Sequence, residues 1–249
     1  MFQCRCQMRA RHLLPRGFRD RLDLHRTAVD RFVRGCATRV KAGERLLDAG
    51  AGESPFREAF AHARYVAVDR AVGDDRWDYG GLSVLGDLLE LPFRTGSFDW
   101  VLCTETLEHV TEPGRVVDEL ARVLRPGGRL CVTVPFSLKE HQQPHDYYRF
   151  TRYGLAYLCE RAGLEVEHLE PQGGYFRMLG DKLQPAHRYL FGKQRHLLWR
   201  IVSLPLYPVS FLGFSVLAPM VCAKLDWLDG KRVHTSGFEL IARRKESAT

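Results

Sequence analysis

The stretch RLLDAGAGESPF, residues 45–56, decides how this chain is read. Its first half is a short apolar run that ends in an acid, Asp48. Its second half is a turn with glycines at 50 and 52. Glycine lets a backbone take positive φ and approach a ligand closely. A strand running into such a turn marks the ligand edge of an α/β sheet. A dinucleotide fingerprint would place a third glycine three residues after Gly52, where Pro55 stands. Asp48 before the turn and Glu53 within it would repel a pyrophosphate. Two carboxylates suit a cation instead.

Outward from this turn, the chain alternates. After RLLDAG, the runs YVAVDR (65–70), FDWVLCTE (98–105) and GGRLCVTVPF (127–136) read as strands. SPFREAFAHA and PGRVVDELARVL between them carry helical periodicity. This alternation implies a parallel sheet with right-handed crossovers. LEVEHLEP (164–171) and SGFELIARR (236–244) alternate with period two and read as later strands. Upstream, residues 18–41 read as a helix, with Leu22, Leu24, Ala28, Val29, Phe32, Val33 and Cys36 near helical spacing, stopped by Gly43. Downstream, RFTRYGLAYLCERAGL reads as a helix with Leu155, Leu158 and Cys159 on one face.

The acid-x-Gly-x-Gly pattern of Asp48, Gly50 and Gly52 resembles motif I of class I S-adenosylmethionine-dependent methyltransferases. Ser54 stands in place of that motif's usual third glycine. Three further matches follow in order. GDLLELPF (86–93) resembles the adenine-contacting segment, FDWVLCTETLEHV (98–110) the motif after strand four in the type-11 branch, and ARVLRPGGRLCVTVP (121–135) the turn and fifth strand. The resemblance implies a doubly wound, mostly parallel, seven-stranded Rossmann-like α/β sheet over residues 43–171, completed by 236–244. It implies S-adenosylmethionine as cofactor, whose ammonium and sulfonium charges suit an acidic turn. The implied cofactor residues are Asp48, Ala49, Gly50 and Gly52 at the turn, with Asp69 and Arg70 at the end of the second strand. Asp87 would face the adenine amino group, Leu88 its ring, and Thr104 the end of the fourth strand. Asp69, nineteen residues after Gly50, can hold both ribose hydroxyls.

After the fifth strand comes HQQPHDYYRFT (141–151), a run with similar examples in the type-11 branch, where this region lines the acceptor pocket. Methyl transfer is an in-line displacement that needs alignment and exclusion of water. A base helps when the acceptor is a hydroxyl or amine that still carries its proton. His145 is the first candidate, because its reference pKa lies near working pH. Tyr148 lines the pocket beside it, and His109, in LEHV, is a second candidate base. Pro144 interrupts any helix between His141 and His145, so an i, i+4 metal pair is not expected there, nor is any other metal site.

The chain has 249 residues with 45% hydrophobic side chains, enough for one α/β core with an elaboration. The net charge is +7. Residues 1–45 hold twelve Lys/Arg against four Asp/Glu, so the rest of the chain is nearly neutral. Basicity is therefore an N-terminal arm and not a nucleic-acid-binding face. Seven cysteines, with Cys103 and Cys131 inside strand-like runs, suit buried thiols in a reducing cytoplasm better than a disulfide framework. Cys4 and Cys6 form a lone Cys-x-Cys. The start lacks the apolar core of a secretory signal.

Residues 201–223 carry no charge. That length could cross a bilayer, but it lies between two strands expected to share one sheet, and Pro205 and Pro208 are expected to break it into pieces too short to cross. Two readings stand: a buried cap or dimer face over the acceptor pocket, or a monotopic hairpin on a membrane surface with Trp199, Tyr207 and Trp227 at the boundary. The organisation expected is a basic arm and helix (1–42), a cofactor-binding core (43–171), a hydrophobic insertion (172–235) and a last strand with tail (236–249). The expected function is methyl transfer to a small-molecule or lipid-linked acceptor in the cytoplasm, peripheral membrane contact being made through 197–228, with a homodimer as one arrangement. The competing readings are a non-catalytic cofactor-binding module, an RNA methyltransferase and, for want of the third glycine, least of all an NAD(P) oxidoreductase.

Overall fold

A computed structural model describes residues 23–73, 77–191 and 205–246. The N-terminal arm with Cys4 and Cys6, and the flank holding Arg195, Trp199, Arg200 and 201–204, lie outside the described residues. The chain divides into two compact units, residues 29–172 with 237–249, and residues 1–28 with 173–236.

The first unit is built on one seven-stranded sheet in the order β3-β2-β1-β4-β5-β7-β6. Its strands are β1 (Arg45–Ala49), β2 (Arg64–Asp69), β3 (Val84–Leu85), β4 (Phe98–Thr104), β5 (Leu124–Pro135), β6 (Leu164–Pro171) and β7 (Gly237–Arg244). β1 to β5 run parallel, and β7 is antiparallel between β5 and β6. Strand order reverses between β1 and β4, which opens a ligand crevice at their carboxyl ends.

Period-two alternation sorts the core residues onto two faces. Leu47, Ala49, Val101, Cys103, Leu130, Val132, Leu240 and Ala242 face one way. They meet α2 (Pro113–Val123) through Val116, Val117, Leu120 and Ala121, and α3 (Arg152–Arg161) through Leu155 and Cys159. Leu46, Trp100, Leu102, Cys131 and Ile241 face the other way, toward Val29, Phe32, Val33 and Cys36 of α1 (Leu24–Ala37). The central strands are buried on both sides, so their near-continuous apolar runs follow from position. The described cysteines are buried free thiols.

Several boundaries differ from the sequence reading. Among the described residues, α1 begins at Leu24 and ends at Ala37. SPFREAFAHA forms only a 3₁₀ turn, Arg57–Phe60, in place of a helix. Only fourteen residues join β1 to β2, and Gly50, Gly52 and Ser54 at their start are all left-handed, leaving little chain for α-helical turns. β5 begins three residues before Gly127. Phe98 pairs with Leu124 and Trp100 with Arg129, so Pro126-Gly127-Gly128 is an irregularity inside the strand. β3 has two residues, too few to carry a pattern.

The second unit holds α4 (Tyr175–Leu183), α5 (Ala186–Phe191) and a continuous helix, α6 (Leu206–Leu228), with a π-helical stretch at Leu212–Leu217. The Asp226 carboxylate accepts from the backbone N–H groups of Gly174 and Arg177, and Asp229 from that of Tyr175. These acids satisfy the otherwise unpaired donors at the start of α4. Gly180 leaves room for Cys222 and Pro219 of α6. The prolines do not break the apolar run, contrary to expectation. Pro205 is the N-cap of α6 and Pro208 lies in its first turn, where no intrahelical N–H bond is lost. Only 17% of its most apolar window is buried.

Candidate functional site

The crevice edge is built from backbone first. Gly50 sits at φ +78°, and a Cβ there would meet the Thr106 side chain at 2.3 Å. Gly52 sits at φ +52°, with Trp77 against it. Ser54, in place of the third glycine, takes φ 53° itself, so the turn keeps its left-handed course at a cost of about 1–2 kcal/mol. The N–H groups of Gly50 and Ala51 donate to Val68 O. Asp69, at the end of β2, accepts from Gly52 N at 3.0 Å and from Ala71 N at 2.7 Å. One bond falls on each oxygen, and each keeps a lone pair for a further donor.

Asp48 is 1% exposed and accepts the Tyr65 hydroxyl. Burial pushes its pKa up from the ordinary 3.8 to about 7, against the Tyr65 hydrogen bond and with Asp69 adding to the rise. Ala49 is buried beside it. Arg70 lies 3.6 Å from Asp87 in an exposed pair. Asp87 accepts from Leu89 N, which folds its loop back, and Leu88 is buried beneath. Thr104 closes β4, and its carbonyl accepts from the Thr106 hydroxyl at 2.9 Å. Asp48, Gly50, Gly52, Asp69 and Thr104 thus converge on the carboxyl ends of β1, β2 and β4. Thr106 at this edge, and Tyr65, whose hydroxyl reaches Asp48 from the start of β2, were not read from the sequence, where nothing marks them.

The loops after β4 and β5 meet. The N–H groups of Tyr147 and Tyr148 donate to Glu108 O. Arg149 grips Asp146 through two bonds at 2.6 and 2.8 Å, holding that carboxyl well below the usual range. Asp146 also accepts from His141 N. His145 is exposed, its Nδ1 3.0 Å from the Tyr147 hydroxyl, and its carbonyl faces His109 Nδ1 at 2.5 Å. Tyr148 donates to Thr111 O. His109, half-buried, is held below its ordinary pKa chiefly by desolvation. A hollow of ≈ 290 Å³ lies alongside, lined by Leu138, Glu140, Asp146, Tyr147, Tyr148 and Arg149. The three residues read as acceptor-side, His109, His145 and Tyr148, share this cluster. Two more that were not read as such, Glu108 and His141, complete it.

Comparison with known proteins fits this edge. The methyltransferase-domain family described as type 11 matches residues 47–132, from within β1 to within β5. The chain belongs to the class I S-adenosylmethionine-dependent methyltransferases, in the type-11 branch. It is 40% identical over 119 residues to a demethylmenaquinone methyltransferase of Clavibacter sepedonicus, covering 41% of this chain and 47% of that one. It is 32% identical over 166 residues to a ubiquinone/menaquinone biosynthesis C-methyltransferase of Roseobacter denitrificans, covering 57% and 66%. The matches thus span about half to two thirds of these relatives' length. Among solved structures, the [4+2]-cyclase SpnF superposes with a TM-score of 0.54 at 19% identity, over 88% of this chain and 82% of that one. At that identity the likeness concerns the fold alone.

Proposed function

We propose that this chain transfers a methyl group from S-adenosylmethionine to a small, hydrophobic, quinone-like or lipid-linked acceptor, working in the cytoplasm and peripherally at a membrane. One observation carries the reading: a glycine turn at the sheet's switch point is ringed by Asp48 and Asp69. Negative charge of this kind favours an ammonium and a sulfonium over a phosphate. The residues fit the cofactor. Asp69 keeps acceptor capacity for the ribose hydroxyls, Gly50 and Gly52 let the backbone come close, and Asp87 with Leu88 would take the adenine. Ala49, Arg70 and Thr104 border the same site. When bound, the cofactor supplies an electrophilic methyl group on sulfur. The chain's part is to align the acceptor, exclude water and, at His145, take up an acceptor proton, with Tyr148 beside it and His109 as the other candidate.

The names of the two quinone methyltransferases support a ring-bearing, poorly soluble acceptor. So does α6, which exposes Leu206, Val209, Phe211, Leu212, Leu217, Val221 and Leu228. A surface of that kind suits contact with a bilayer interface, aided by the basic arm on anionic lipid, or a dimer face. Calorimetry with S-adenosylhomocysteine and NADH tests the reading. We expect S-adenosylhomocysteine to bind, Asp69→Ala to weaken it at least tenfold, and NADH not to bind. Tight NADH binding without recognition of S-adenosylhomocysteine would overturn it.

A further inference from the structure

Glu108 is fully buried, and neither carboxylate oxygen has a hydrogen-bond partner among the described residues. Burial and the neighbouring Glu105 push its pKa well up. A buried unpaired carboxylate is expensive unless something else compensates it. Two imidazole nitrogens stand near it. His109 Nε2 is 3.6 Å from Glu108 Oε1, and His141 Nε2 is 3.9 Å from the same oxygen. The two Nε2 atoms face each other at 3.1 Å.

The opposite side of each ring fixes what these nitrogens are. His109 Nδ1 faces the His145 carbonyl at 2.5 Å. His141 Nδ1 faces the Lys139 carbonyl at 3.3 Å and an Asp146 oxygen at 3.4 Å. Both acceptors call for Nδ1–H, which leaves an Nε2 lone pair on each ring. Metal-ligating histidines are oriented in this way. Two lone pairs and a carboxyl group pointed at one another call for a proton or a metal cation among them, and a cation would also hold the buried carboxyl ionised. In a tetrahedral site with bonds of about 2.0–2.1 Å, donor atoms lie roughly 3.3 Å apart, close to the spacings seen here.

We infer that Glu108, His109 and His141 form a binding site for a divalent transition-metal ion. Two imidazoles and one carboxylate suit Zn²⁺, Mn²⁺ or Fe²⁺ better than Mg²⁺. Three protein ligands leave coordination positions open. On the methyl-transfer reading, an acceptor hydroxyl takes one of them. Its O–H proton passes to a base or to solvent, and the oxygen attacks the methyl carbon. The C–S bond breaks with its electron pair left on sulfur, giving a neutral thioether and a methyl ether. The substrate class is therefore a phenol or enol with an ionisable hydroxyl. His109 is then a ligand and not the base.

The test uses the full chain, stripped with EDTA and carrying Cys4→Ser and Cys6→Ser so that the N-terminal thiols do not bind metal. Mn²⁺ is titrated by electron paramagnetic resonance and Zn²⁺ by calorimetry. One equivalent should bind, with affinity at least tenfold lower in both Glu108→Gln and His141→Ala. His141 is partly exposed, so its variant keeps the test alive if Glu108→Gln does not fold. Absence of binding, or equal binding by the folded variants, would overturn the site. A parallel S-adenosylhomocysteine titration separates this result from the methyl-transfer reading: nucleoside binding without metal binding sinks only the metal site, and metal binding without nucleoside binding sinks only the methyl-transfer reading. EDTA should abolish turnover of a phenolic acceptor, and Mn²⁺ should restore it. Full turnover in EDTA would remove the metal from the reaction.

Discussion

Replacing Asp48 with Asn separates what the acid does for the site from what it does to the fold. The carboxyl is buried and its pKa stands at about 7 instead of 3.8. A carboxyl raised in this way favours the folded state while protonated in it. Its contribution is therefore full below about pH 4 and is lost as the pH climbs toward and through 7. With those two values, ionisation of Asp48 makes folding less favourable by roughly 2.5 kcal/mol at pH 8 relative to pH 5. Asparagine has nearly the same shape, and its amide oxygen can still accept the Tyr65 hydroxyl, but it does not titrate. The assay is urea unfolding of both proteins at pH 5 and pH 8. The stability difference, variant minus parent, should grow by about that amount between the two pH values. Other carboxyls raised by burial, such as Asp181 at about 6, are common to both proteins and cancel. Binding should move the opposite way. The ammonium of S-adenosylhomocysteine favours the ionised acid, so parental affinity should rise from pH 6 to pH 8, while the variant binds at least tenfold more weakly with a flat profile. Parallel stability profiles, or equal affinities at pH 8, would refute the argument that this carboxyl is kept at the turn for a cationic guest.

Three other outcomes are expected. Gly50→Ala should lower Tm by about 2–8 °C, from a left-handed backbone cost of about 1–2 kcal/mol, and should weaken S-adenosylhomocysteine at least tenfold, because the new Cβ collides with Thr106; a thermal melt unchanged from the parent counts against the turn geometry. His145→Ala should cut turnover about 100-fold and leave the S-adenosylhomocysteine Kd within twofold; equal loss of both would remove His145 as the base. Leu217→Glu with Val221→Glu, on the exposed face of α6, should reduce flotation with anionic liposomes at least tenfold while thermal stability holds; undiminished flotation would take the helix out of membrane contact.

The sheet was legible because burial on both faces demands long apolar runs, and those runs end in chemistry. Leu46-Leu47-Asp48 reads as a buried strand that arrives at an acid. Val68-Asp69 does the same one strand over, and the topology puts both acids at one edge. β6 and β7 were legible by period-two alternation. The 3₁₀ turn at Arg57–Phe60 was not, since Phe56, Ala59 and Phe60 have helical spacing whether or not the backbone has room for a helix. The continuity of α6 was hidden for a related reason. A proline reads as a breaker, yet its effect depends on whether its position would have made an intrahelical bond, and that is settled only once the helix start is known.

The acceptor side shows where local spacing fails. Reading His141 and His145 as a pair asks whether two side chains four apart share a helix face, and Pro144 answers that they do not. The structure pairs His141 instead with His109, 32 residues earlier. That meeting follows from parallel β4 and β5, whose carboxyl ends place their following loops side by side. The residues His-Asp-Tyr-Tyr-Arg that look catalytic as a string divide their work. Asp146 and Arg149 clamp the loop, while the amides of Tyr147 and Tyr148 tie it to the Glu108 carbonyl. What remains unaccounted for by folding is a buried carboxylate facing two nitrogens. An apolar side chain at 108 would satisfy the surrounding core without the desolvation penalty. A carboxyl placed there argues for a guest that would hold it ionised, and a cation held between the two loops does so.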